Sequence, residues 1–150
     1  MQTRARVVAV LLSTLALAGC TAPAEPAAEV SDVAAREESR DRVRELVTSL
    51  PVPQDDAFAF ARAADAADAE GVELIGIESY EPTTEGGPFG SLTLRTPVDS
   101  ELFPDAGELP EAFCFQVPLT ATGIVAEDGD GGVEPIDCAE DADVITPPAA

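Results

Sequence analysis

From Ser31 to Leu50 the apolar residues recur with a helical period. Val43, Leu46, Val47 and Leu50 stand at i, i+3, i+4 and i+7, which gathers them on one helix face, and Pro51 and Pro53 end the run. Only these last turns carry the spacing expected of a core-facing helix. Upstream, in REESRDRVR, opposite charges lie three or four residues apart: Glu37 with Arg40, Glu38 with Arg42, and Asp41 with Arg44. Such pairs support a helix by about 0.2–0.5 kcal/mol each. A second helix is expected from Asp55 to about Glu70. Asp55 or Gln54 opens it, Phe58, Ala61, Ala64 and Phe60 supply a small apolar face, and Gly71 serves as a left-handed stop.

After Gly71 the period shortens to that of strands. VELIGIESY, Val72 to Tyr80, reads as one strand. SLTLRT, Ser91 to Thr96, alternates Leu92 and Leu94 with Thr93 and Arg95, as a half-buried strand should. The glycines between them, Gly86, Gly87 and Gly90, lack the spacing of a phosphate loop, and the chain has no lysine to meet a phosphate, so they predict a hairpin connection. A loop over Pro97 to Pro110 follows. FCFQVPL carries the strongest alternation, with Phe113, Phe115, Val117 and Leu119 on one side and Ala112, Cys114 and Gln116 on the other. Pro118 then implies a sheet edge or a strand end. GIVA, Gly123 to Ala126, and VEPIDC, Val133 to Cys138, flank EDGDGG in the manner of a last hairpin. The expected class is α+β, two N-terminal helices packed on a small antiparallel sheet of four to five strands, with one sheet face covered.

The first residues follow a different logic. Arg4 and Arg6 form a basic head before VVAVLLSTLALA, Val7 to Ala18, and Gly19 and Cys20 follow. That order is a secretory signal layout. The apolar run has 12 residues, short of the roughly 20 that cross a hydrocarbon core, so an export signal that is removed is expected rather than a permanent span. Arg4 and Arg6 are separated by Ala5, which favours the general export route over a twin-arginine one. Leu17, Ala18, Gly19 and Cys20 match a lipobox residue by residue, and over these first 20 positions the chain resembles bacterial lipoproteins. The resemblance implies cleavage between Gly19 and Cys20, a covalent diacylglycerol on the Cys20 sulfur, and Cys20 as a mature N-terminus open to N-acylation. Thr21 is not the aspartate that would imply retention in the inner membrane of a double-membrane cell.

Charge shapes what such an anchor must do. Removing Arg4 and Arg6 from the 8 basic residues leaves 6 arginines against 29 acids, a net charge of −23. Two or more acyl chains hold a protein on a membrane without help from the polypeptide. A body this acidic is repelled by anionic headgroups within about 8 Å at physiological salt, and equally by nucleic acid, which is not an expected partner. TAPAEPAAE, Thr21 to Glu29, suits a spacer that clears this layer. The expected organisation is a signal peptide over 1–19, a flexible Ala/Pro/Glu tether over 20–30, a single small domain over 31–140 and a disordered tail over 141–150. The expected location is the extracytoplasmic face of the cell membrane, with an envelope protein or wall component as partner.

With Cys20 committed to lipid, Cys114 and Cys138 remain as an even pair outside the cytoplasm, and a disulfide between them is the simplest pairing. It would contribute about 3–4 kcal/mol by loop entropy. Asp128, Asp130 and Glu134 around EDGDGG tempt a calcium reading, but with Asp128 first the fifth position is Gly132 and the sixth Val133, which breaks the loop signature. No metal ligands and no bound cofactor are assigned. Arg36, Arg40 and Arg44 stack at i, i+4 and i+8, yet interleaved acids neutralise them. Asp65 and Asp68 are expected on the wet side of their helix.

Catalysis is bounded by residue supply. The chain has no His and no Lys, which removes Ser-His, Cys-His and Ser-Lys systems and Schiff bases and leaves carboxylate or tyrosine chemistry. No catalytic residue is assigned. Three functions fit, in descending order: a non-catalytic envelope lipoprotein whose domain binds or supports another component, a carboxylate-dependent cell-envelope enzyme, and a cation-binding surface lipoprotein.

Overall fold

The computed structural model describes residues 27–104, 108–125 and 132–149. Gly19, Cys20 and the rest of the signal and lipobox lie outside these residues, as do Asp128 and Asp130 of the EDGDGG segment. The described chain is α+β, with helices α1 (Ala27–Ser49) and α2 (Ala57–Ala67) preceding an antiparallel sheet of five strands. The strands are β1 (Glu73–Ser79), β2 (Gly90–Pro97), β3 (Ala112–Thr120), β4 (Gly123–Ile124) and β5 (Glu134–Ile136).

The periodic residues of α1 are buried as their spacing requires: Val43, Leu46, Val47 and Leu50 all lie in the core. The buried face extends further than the last turns, however, because Ala35 and Ser39 continue it toward the N-terminus. Alanine and serine carry almost no hydropathy signal, yet their small size is what lets a helix backbone approach its neighbours. Arg40, largely buried at the flank of this face, pairs with Glu37 at 2.8 Å, and on the outer face Arg42 pairs with Glu38 and Arg44 with Asp41. Asp32 and Arg36 add a further pair at 3.1 Å.

Asp56, rather than Asp55 or Gln54, caps α2. Its extended backbone leaves the carboxylate free to accept from the Ala59 amide at 2.7 Å. The helix ends before Gly71, at Asp68, which itself adopts the left-handed conformation with φ of 45°. An aspartate tolerates that region better than most residues, so the glycine is left to shape the turn into β1. Phe60, not Phe58, is the aromatic that α2 buries, together with Ala57, Ala61 and Ala64. Its ring stacks on Phe89 with centroids 6.2 Å apart.

β2 is paired along eight residues with β3 and also pairs with β1 across a bulge between Leu74 and Gly76. One face carries Leu74, Leu92, Leu94, Phe115, Val117 and Leu119 into the core beneath the helices. α2 packs on β1 and β2, and α1 on β3 and β4. α2 comes close to the sheet at Gly90, where a Cβ would stand 2.5 Å from the Cβ of Ala57 and would also meet the Glu78 carbonyl oxygen.

Pro118 does not end β3 or place it at the edge. It lies within a strand paired on both sides. Its carbonyl accepts from Val125 at 3.3 Å on the β4 side, and in a strand a residue's amide and carbonyl positions face the same neighbour. The missing N–H therefore faces Val125, just past the end of β4, so the proline leaves out one bond at the end of that short ladder and none in the long pairing with β2. β4 and β5 also depart from the expected last hairpin. They do not pair with each other; both run antiparallel to β3, β4 opposite Leu119 and Thr120 and β5 opposite Cys114 to Gln116. They are two pieces of one edge strand, separated by an insertion.

The segment expected as a disordered tail and the end of the tether are also structured. α1 already begins at Ala27. Beyond Cys138, the Ala142 carbonyl accepts from Arg95 at 2.9 Å, the Ile145 amide donates to the Leu74 carbonyl at 2.9 Å, and Ile145 packs against the core. Low local hydropathy concealed this, since most of the binding is through backbone groups.

Candidate functional site

Register carries four residues into one row on the sheet face opposite the helices: Glu73 of β1, Arg95 of β2, Cys114 of β3 and Ile136 of β5. Arg95 Nε donates to Glu73 Oε2 at 2.6 Å. Cys114 and Cys138 are joined by a disulfide, with Cα atoms 5.2 Å apart and a sequence separation of 24. Cys114 is buried at 2% exposure, whereas Cys138 is exposed.

Beside the bridge lies an open cavity of about 730 Å³, lined by Arg36, Phe113, Ile136, Asp137 and Cys138 among others. Arg36 of α1 stands over the Phe113 ring at 5.5 Å from its centroid while its guanidinium pairs with Asp32. A cation over an aromatic face is attracted by the ring quadrupole. The cavity therefore carries one cation, one acid and an apolar floor.

A second polar group lies further along the same sheet face. The Ser91 hydroxyl donates to Glu78 Oε2 at 3.2 Å, and the Gln116 amide donates to the same Glu78 oxygen at 3.3 Å and to Ser91 Oγ at 3.1 Å. Ser91 is buried, and these bonds satisfy its hydroxyl. The sequence hid this cluster because it depends on register: Ser91 opposes Glu78 on one side and Pro118 on the other, with Gln116 on the same face.

Of the residues weighed from sequence, Cys114 and Cys138 are brought together. Arg36, Arg40 and Arg44 each meet the acids around them. Asp65 and Asp68 are exposed near the end of α2, and Glu134 is exposed on β5. Among the described residues no group of three or more His, Cys, Asp or Glu side chains is placed to hold a metal ion. No described helix is long and apolar enough to cross a membrane.

No family model, curated protein or solved structure matches the chain. Its function must be argued from its own residues.

Proposed function

We propose that the chain is a lipid-anchored lipoprotein of the extracytoplasmic membrane face, whose small acidic domain is a non-catalytic module that binds or supports another envelope component. The observation that carries this reading is how the three cysteines divide. Two are bonded to each other within the domain, so Cys20, at the end of the lipobox pattern, is the one thiol left for thioether formation. The bridge supports an exported location, because disulfides persist in oxidising compartments. Between Cys20 and the start of α1 at Ala27 the chain can extend about 20 Å at about 3.1 Å per residue. That still exceeds the depth over which anionic headgroups repel the acidic domain.

Expression with clickable palmitate in a bacterial host that has the lipoprotein-modifying enzymes tests the anchor. The wild-type chain is expected to carry label and to partition with membranes, and Cys20→Ala to lose both. Unlabelled wild-type protein in the soluble fraction would overturn the reading.

A further inference from the structure

The C-terminal segment crosses the sheet one element at a time. Cys138 is bonded to Cys114 of β3, the Ala142 carbonyl accepts from Arg95 of β2, the Ile145 amide donates to Leu74 of β1, and the Pro148 carbonyl accepts from Arg62 of α2 at 3.4 Å. This strap ties β5 at one edge of the sheet to β1 at the other. Val144 and Ile145 help to line a small cavity between α2 and β1 whose other walls include Leu46, Ala64, Leu74 and Leu94.

The bridge is the strongest hold at the strap's proximal end. β5 has only three paired residues, all of them exposed. With Cys138 bonded, Ile145 is tethered seven residues from a fixed point, which keeps its local concentration high. Without the bond, the chain beyond Val133 is held by the short β5 pairing, the Ile145 amide bond, two arginine side-chain bonds to carbonyls and the packing of Ile145, few enough contacts to place it at the low-stability end of a fold's local openings. The six- and eight-residue registers of β1, β2 and β3 and the core beneath the helices lie outside this unit.

We infer that the Cys114–Cys138 bridge is a redox latch, and that its reduction frees the strap and opens the outer edge of β1 while the rest of the domain stays folded. The co-reactant is a dithiol. Its thiolate attacks the sulfur of Cys138, the residue that faces solvent, and forms a mixed disulfide. The electron pair of the broken S–S bond leaves on Cys114 Sγ, which takes up a proton. The second thiol of the reductant then attacks the mixed disulfide, releasing Cys138 as a thiol and the reductant as its own disulfide.

Amide hydrogen exchange of the full chain, before and after treatment with millimolar dithiothreitol under native conditions, tests the latch. Exchange at Glu134, Ile136 and Ile145 is expected to rise at least tenfold, with Leu94 and Phe115 still protected, and re-oxidation is expected to restore the starting pattern. The Cys114→Ser/Cys138→Ser pair should match the reduced chain. Ile145→Asp, with the bridge intact, should open β1 without loosening β5. Three results would overturn the inference: unchanged protection at Ile145 on reduction, simultaneous loss of protection throughout the domain, or a bridge that yields only in denaturant.

Discussion

Arg95 holds Glu73 through its Nε at 2.6 Å while its Nη1 reaches the Ala142 carbonyl, so one guanidinium joins two strands to the C-terminal segment. Replacing it with methionine keeps much of the aliphatic bulk and removes both bonds. The side chains of Arg95 and Glu73 keep 25% and 35% of their exposure, so water screens the pair and the expected loss is about 1 kcal/mol. Urea denaturation of Arg95→Met should show a lower midpoint. A cycle with Glu73→Gln should show coupling smaller than the total loss, because the Ala142 bond does not pass through Glu73.

Phe60 is fully buried and stacks on Phe89, and the other buried residues of α2 are all alanines. Few other large side chains surround it on α2 to close the space it would leave. Phe60→Ala is expected to cost about 3–5 kcal/mol, the largest loss of any single truncation in α2. Thermal unfolding followed by circular dichroism would measure it, and a loss under 1 kcal/mol would mean that α2 does not anchor the domain.

Gly90 is needed for space. A methyl group there meets the Glu78 carbonyl oxygen and the Ala57 Cβ, neither of which swings aside. Gly90→Ala should destabilise the fold by about 1–3 kcal/mol through overpacking. Ala57→Gly on that background removes one of the two clashes and should recover part of the loss, a non-additivity readable in denaturant midpoints.

The Asp56 cap makes a smaller prediction. Asp56→Ala leaves the Ala59 amide without its carboxylate partner and should cost about 1 kcal/mol, whereas Asp56→Asn, which keeps an acceptor oxygen, should be nearly neutral. Asp55→Ala, one residue earlier, should have little effect on the same melting curve.

Sequence periodicity revealed the elements whose signal is local. Val43, Leu46, Val47 and Leu50 declared the core face of α1, and the alternation from Phe113 to Leu119 declared β3. The charge pairs on α1 were equally plain, since three- and four-residue spacings on a helix determine who meets whom. What stayed hidden depended on distant parts of the chain. Pro118 is tolerated because its missing N–H falls at the end of the short β4 ladder, and Ile145 is ordered because Leu74 offers it a carbonyl. The Glu78, Ser91 and Gln116 cluster likewise exists only once three strands are in register. At the candidate site, pairing of Cys114 with Cys138 followed from cysteine arithmetic, while the Arg36 and Phe113 contact needed the helix to be laid across the sheet.

For a chain stretched from its two ends, the Cys114–Cys138 bond sets how far it can lengthen. The 24-residue separation stays shielded from tension, hiding about 80 Å of contour at about 3.4 Å per residue. In an optical trap the oxidised domain should fall short of its reduced form by that length at full extension.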